Sequence, residues 1–423
     1  MIKTTQSISI RACKLLFKTT STSYLIFLLC ITSESISAQL PLPTGNSGIA
    51  KNYPGDIGIG SDPAVIFFDD FESYKNVSEL ITPGRWNNSF QNSNIKIASQ
   101  AGTFFDGKNG LEFNSPKSNN EISNALVKDI PGEDVLFLRY YAKIDNSFNV
   151  TGSSHNGFGM AASYWSGPGS GPGIKADGYN KFLVAYEAWR GDTTISNPGE
   201  LNVYVYHPEQ RDIWGDHLFP TGIVLPWTYL PGNYGPSFIK RPNVIPILGQ
   251  WYCHELMVKA NTPGQRDGRI AMWLDGELIA DFMNIRLRDT LALKIDQFDI
   301  SLHIYNNKIA TKKWCDNVVA ARSYIGPLFR NTTHVEPVVR NNKLLVYPNP
   351  FTESFTLDLT GINRKVTDKL NFHLYNILGE QVLVLNNISD NVVSIRNKFE
   401  TGIYFYTIRL NSERLCSGKL GVE

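Results

Sequence analysis

Apolar and polar positions alternate along much of the chain, in short runs. In Val135–Ile144, Arg139, Tyr141 and Lys143 share one face, opposite Leu138, Tyr140 and Ala142. A period of two is what a strand shows when one face turns to a core. The longest such pattern spans Gln250–Phe282. Its first run, Trp251–Lys259, ends at Asn261-Thr262-Pro263-Gly264; a second, Arg269–Leu274, ends at Asp275-Gly276 and restarts as Glu277–Phe282. Asp-Gly between apolar runs supplies two residues that tolerate positive φ, as a tight hairpin requires. The stretch therefore predicts the central meander of a large antiparallel domain. Ala64–Phe68, Ile95–Ala98, Gly110–Phe113, Phe182–Trp189, Leu201–His207, Ile295–Tyr305 and Asn317–Ala321 read as further strands. No long segment keeps a helical period, so the fold class is all-β, a sandwich or jelly roll.

The breaks in the pattern mark the domains. Residues 39–62 are rich in Gly, Pro, Ser and Asn and predict a flexible lead-in to a domain at 63–327. Two loops inside that domain are long. Thr151–Asn180 is glycine-rich, and Pro208–Gly249 carries Trp214, Phe219, Trp227, Tyr229, Tyr234 and Phe238. Loops of this length are functional or disordered, and the aromatic content of the second argues for order. A polar linker at 328–343 leads to a second β domain at 344–423. Its strands are predicted at Phe355–Leu359, Leu370–Tyr375, Gln381–Leu385, Val392–Ile395, Tyr404–Leu410 and Lys419–Val422, enough for a small sandwich.

Composition adds compartment. The 423 residues carry a net charge of +1, which argues against a general nucleic-acid binder. Residues 1–38 read as a secretory signal peptide. Lys3, Arg11, Lys14 and Lys18 precede the short apolar run Tyr24–Ile31, and Ser37-Ala38 offers a cleavage site. Leu29 before Cys30 argues against lipoprotein processing, and nothing after the leader is apolar for long enough to span a membrane. Cys253, Cys315 and Cys416 remain in the mature chain. In an exported protein Cys253 and Cys315 form either a disulfide or two buried thiols.

The C-terminal residues Tyr347-Pro348-Asn349-Pro350, Leu374–Val382 with Gly379, Gly402-Ile403-Tyr404-Phe405-Tyr406 and Ser417-Gly418-Lys419-Leu420 resemble the type IX secretion C-terminal sorting domain, type A. The resemblance implies export and recognition by the outer-membrane type IX machinery, then release or surface attachment. The motifs supply turns and a core strand and no catalytic chemistry.

The central domain resembles concanavalin A-like jelly rolls of the polysaccharide lyase and LamG type. The resemblance rests on Asp69–Tyr74, Leu136–Lys143, Trp251–Gly264, Trp273–Gly276 and Asp316–Ala320. It implies a polysaccharide partner. The paired-glutamate strand Glu-x-Asp-x-x-Glu is not present, which lowers retaining glycosidase chemistry. A lyase acting on a uronic-acid polymer needs a base for the proton α to the carboxylate and donors for the developing charge. Arg139, Tyr141, His254, His303 and Tyr305 are the candidate catalytic residues, if their faces converge; otherwise they are half-buried sheet residues, and the domain binds glycan or serves adhesion without cleaving. Tyr252 shares a face with His254, and Tyr204 lies near Tyr206 on a further strand. Glu255, among apolar neighbours, either forms a buried ion pair with Arg139 or Lys259 or takes part in catalysis. Trp165, Trp189, Trp214, Trp227 and Tyr229 suit stacking on sugar rings. Asp69, Asp70, Glu72 and Asp316 invite a calcium site if the first and last strands lie side by side. His155, His207 and His217 lack zinc-like spacing.

Overall fold

The computed structural model describes residues 41–330, 345–360, 368–396, 398–411 and 413–423, apart from 153, 166–168 and 226–233. The leader, most of the linker, Trp227 and Tyr229 lie outside these residues. The chain forms two compact units. Residues up to Ile49 join Gly60–Pro327, and Ala50–Ile59 join Leu328–Glu423.

The first unit is a two-sheet sandwich. One sheet runs Glu277–Ile285, Gly268–Leu274, Tyr252–Lys259, Val135–Ile144, Thr311–Ala321, Gly110–Ser115, Ile95–Ala98, with Val65–Asp69 also paired to Thr311–Ala321. The other runs Val224–Leu225, Asp216–Leu218, Glu200–Tyr206, Phe182–Trp189, Phe158–Ala162, Ile295–Ile304, Ile122–Glu133, Asn88–Phe90, and Ser154–His155 also pairs with Ile295–Ile304. The meander turns at Asp275 and Gly276, at φ 50° and 79°, as the Asp-Gly signal requires. Leu136, Leu138 and Tyr140 of the first sheet face Met160, Val184, Val203 and Ile300 of the second, and these side chains form one core.

The outer face of the first sheet is also buried. Arg139, Tyr141, Cys253 and Glu255 alternate with the core residues, and chain segments lie over them. Glu255 accepts from Ile325 N–H at 2.7 Å and Gly326 N–H at 2.9 Å, and Arg139 donates to Gly326 O at 3.2 Å and Asn317 O at 3.3 Å. Trp273 Nε1 donates to Pro43 O at 2.9 Å and Tyr324 Oη to Gly45 O at 3.0 Å. The lead-in therefore departs from expectation. Residues 45–61 form four short 3₁₀ turns, with Ile49, Ala50 and Ile59 buried. Gly48 is fixed here because a Cβ would lie 2.3 Å from Ile325 O.

The disulfide alternative is corrected. Cys253, Cys315 and Cys416 are free thiols. Cys253 stands beside Tyr141 on the outer face, whereas Cys315 faces the core and is separated from it by the strand Val135–Ile144.

The second unit packs a three-stranded sheet (Leu345–Tyr347, Ser354–Asp358, Val392–Arg396) and a four-stranded one (Gln381–Leu385, Leu370–Tyr375, Gly402–Leu410, Glu413–Val422) around Phe355, Leu357, Phe372, Leu374 and Ile408. The motif residues are turns and clasps. Asn349 donates to Lys419 O and accepts from Gly421 N–H, both at 2.8 Å, so the opening turn holds the last strand. Gly379 closes its turn at φ 82°, and a Cβ on Gly418 would meet Tyr406 Oη at 2.4 Å. Tyr404 Oη donates to Glu400 O at 2.9 Å. Asn349→Ala removes both hydrogen bonds, a loss of about 1–3 kcal/mol. In the full chain it is expected to speed proteolysis of the tail while the sandwich stays intact; an unchanged rate would show that the clasp contributes nothing.

Candidate active site

The alternation that fixes the core also fixes the opposite face of the second sheet. Phe182–Trp189 turns Tyr186 and Val184 inward and Ala185, Glu187 and Trp189 outward. In Glu200–Tyr206, Asn202, Tyr204 and Tyr206 turn outward. Register places Asn202 beside Glu187, Tyr204 beside Ala185 and His217, and His303 beside His155. The floor between them is made of small residues. A Cβ on Gly159 would lie 3.0 Å from Asp299 Oδ1 and 3.5 Å from Ala185 Cβ.

Three imidazoles gather there. The Tyr204 ring lies 5.0 Å from that of His155 and 4.9 Å from that of His217, and His303 stands 6.4 Å from His155. Their partners set their protonation. His155 Nδ1 lies 2.8 Å from Glu187 Oε2. Burial opposes the imidazolium form of His155, but the charge and hydrogen bond of Glu187 outweigh it and push the group above its ordinary range. His217 is the opposite case. Asn202 commits its Nδ2 to Glu187 O and Glu200 O, at 3.3 and 3.1 Å, so its Oδ1 faces His217 Nδ1 at 2.9 Å. Glu187 Oε1, which has no hydrogen bond of its own, lies 3.6 Å from the same nitrogen. Two acceptors around Nδ1 require the proton there and leave the lone pair on Nε2. Burial, helped by the charge of His155, pushes His217 down to about 3 and keeps it neutral. Burial likewise holds His303 at about 3 and pushes Asp299 up to about 6.

At the other end of the face Lys181 is buried, 4.2 Å from the Tyr206 ring and 4.8 Å from Tyr164, and donates to Gly171 O. Burial pushes it down to about 8. Trp165 and Trp214 are each 52% exposed; Trp165 leans on Phe90 at 5.9 Å, and Trp214 is 3.4 Å from where a Cβ on Gly173 would stand. Trp189 packs on His217 at 4.7 Å.

The five candidate catalytic residues do not meet. Arg139 and Tyr141 sit under the straps of the first sheet, Tyr141 stacked on Phe105 at 3.7 Å. His254 lies between the sheets, its ring 5.5 Å from Tyr140 and 5.2 Å from Tyr186, and burial holds it neutral at about 3. It lines a narrow crevice with Tyr252, Asn156 and Leu248. Only His303 and, just past its strand, the exposed Tyr305 belong to the second sheet. His155, Glu187, Asn202 and His217 are the residues that sequence reading missed.

The acids proposed as calcium ligands each accept backbone N–H groups. Asp69 accepts from Phe71 N–H, Tyr74 Oη and Trp86 Nε1, at 2.9, 2.5 and 2.8 Å. Asp70 accepts from Glu72 N–H at 3.1 Å. Glu72 accepts from Lys108 and Asn109 N–H, at 2.7 and 2.8 Å, and Asp316 from Phe105, Asp106 and Asn317 N–H, at 2.7, 3.1 and 2.8 Å. These carboxylates hold a turn and the loop 105–109. Among the described residues no cluster of three or more His, Cys, Asp or Glu side chains is arranged to hold a metal ion.

Residues 345–422 match the secretion system C-terminal sorting domain. The protein is accordingly secreted or attached to the cell surface through the type IX system. Among the described residues no helix is long and apolar enough to cross a membrane. No curated protein matches the chain in sequence. Among solved structures, a mutant of alginate lyase Aly36B in complex with alginate tetrasaccharide is similar at TM-score 0.44 and 16% identity, over 62% of this chain and 99% of that one. The endo-β-1,4-glucuronan lyase of the fungus Trichoderma reesei follows at 0.40 and 14%, over 61% and 96%. The marine PL-14 alginate lyase of Aplysia kurodai stands at 0.40 and 12%, over 61% and 99%.

Proposed function

We propose that the protein is an exported polysaccharide lyase that cleaves a uronic-acid polymer by β-elimination on the outer face of the second sheet. The observation that carries this reading is the pair of imidazoles flanking Tyr204, one held at Nδ1 by the Glu187 carboxylate and the other at Nδ1 by the Asn202 amide oxygen. His217 Nε2 takes the proton on C5 of the uronate. The C5–H electrons form the C4=C5 double bond, and the C4–O glycosidic bond breaks. His155, charged and anchored at Nδ1, gives its Nε2 proton to the leaving oxygen. A bound uronate carboxylate adds negative charge beside His217 and raises its basicity when it is needed. Separation of one acid from one base by their environments is the arrangement that proton transfer in both directions requires.

Binding without cleavage is the second reading, favoured by the two exposed tryptophans on the loops around this face. Incubating the purified protein with alginate, glucuronan and heparin-like chains, and reading the absorbance of the new double bond, separates the two. The lyase reading expects absorbance on at least one polymer. Retained binding without absorbance on any of them would sink it, and loss of that binding in Trp165→Ala and Trp214→Ala would establish the second.

A further inference from the structure

We propose that Lys313 is a positioning residue for the histidine face, a charged staple driven through the core from the first sheet into the backbone of the second. The inference rests on the reading of that face as the reacting surface. Thr311–Ala321 places Lys313 and Cys315 on its core side, and Lys313 is fully buried. Its Nζ donates to Gly157 O at 2.7 Å and to Ser301 O at 2.8 Å, and lies 5.0 Å from the centre of the Tyr140 ring. No carboxylate among the described residues pairs with it. Burial pushes Lys313 below its ordinary range, and Cys315, Asp299 and Glu187 favour the ammonium without a direct ion pair; the charge is costly to keep, and an apolar side chain would fill the core more cheaply.

The two carbonyls explain its presence. Gly157 lies in the break between Ser154–His155 and Phe158–Ala162. A Cβ there would fall 1.7 Å from Tyr186 O, so the backbone passes where no side chain fits. Ser301 N–H donates to Gly157 O at 3.1 Å, and register continues across the break, from Ile300 beside Phe158 to His303 beside His155. Lys313 thus ties the two strands at the point where the ladder is interrupted. His155 is two residues before one tethered carbonyl, and His303 two residues after the other. The charge acts on the same groups. His155 faces Glu187, Glu121 and Asp299; His303 faces His155 and Lys313, and its burial is reinforced by both positive charges. Lys313 keeps His303 an uncharged acceptor beside the imidazolium.

The test reads histidine titrations by NMR in the full-length protein without substrate, with His303→Gln and His155→Gln supplying assignments. Lys313→Met removes both charge and tether; Lys313→Gln keeps a donor and removes the charge. In either folded variant the His303 midpoint is expected to rise by about one pH unit or more, since a neighbouring positive charge has gone. Lys313→Arg keeps the charge and is expected to keep the midpoint. If Lys313→Met fails to fold, Lys313→Gln carries the same measurement. A folded charge-free variant whose His303 and His155 titrations are both unmoved overturns the proposal. Moved titrations in a protein that cleaves no uronate polymer would leave the staple standing and sink the lyase reading; unmoved titrations in an active lyase would do the reverse.

Discussion

His217→Ala is expected to lower kcat/KM on a cleaved uronate polymer by about 10²–10⁴-fold, the range for removal of a positioned base. The sandwich should keep its melting temperature, because the side chain lies on an outer face and Trp189 and Tyr204 still cover its place. Asn202→Leu is the finer probe. It leaves Nδ1 facing only Glu187 Oε1, so the proton is drawn into an ion pair and the imidazole charges more readily. The pH profile supplies the sign. His155 must be protonated to serve as acid, and Glu187 raises it above its ordinary range, so the rate falls as pH climbs through that raised value. In the free enzyme, which the kcat/KM profile reports, His217 is held neutral down to about 3 and imposes no acidic limb near neutrality. The expected profile therefore has one limb, on the alkaline side, and His155→Ala abolishes that limb with most of the rate. A kcat/KM profile that falls on the acidic side of neutrality would reverse the two roles.

What the sequence made legible is local. The Asp275-Gly276 turn, the strand Val135–Ile144 and its two faces follow from a period of two and from residues that accept positive φ. Alternation says which residues of one strand share a face. It does not say which sheet the strand joins, or whether that face is covered. Arg139 and Tyr141 alternate as polar residues do, yet other chain segments bury them, Gly326 over Arg139 and Phe105 over Tyr141. His254 and His303 both alternate with apolar neighbours, and one faces the core and the other the outside. The site was visible only as pattern breaks: Glu187 within Phe182–Trp189 and Asn202 within Glu200–Tyr206, polar residues that register sets side by side. His155 sits on a two-residue strand that no periodicity could flag. Lys313 breaks the pattern more plainly, as a charge at a core position. Asp69, Asp70, Glu72 and Asp316 each accept a backbone N–H, a structural role that the spacing of acids in the sequence does not announce.

Arg139→Met is expected to destabilise the sandwich by about 3–5 kcal/mol at about pH 8, and by less at about pH 5. Arg139 and Glu255 lie opposite each other in register beneath Tyr324–Pro327, and neither can reach water. Burial pushes the Glu255 carboxyl up to about 7, against the pull of the Ile325 and Gly326 N–H groups and of Arg139. Removing Arg139 weakens that pull, so the folded-state value climbs further. A carboxyl raised on folding favours the folded state while both states are protonated, and that contribution is lost as pH rises through the folded value. The gap between variant and wild type should therefore widen with pH. Denaturant unfolding followed by tryptophan fluorescence reads it cleanly, since all eight tryptophans fall between Trp86 and Trp314 and none in the sorting domain. Arg139→Met with Glu255→Leu removes both charges and should recover part of the loss. A deficit equal at both pH values, and not recovered by the second substitution, would mean that Arg139 acts only as a donor to Gly326 and Asn317 and that its charge is not coupled to Glu255.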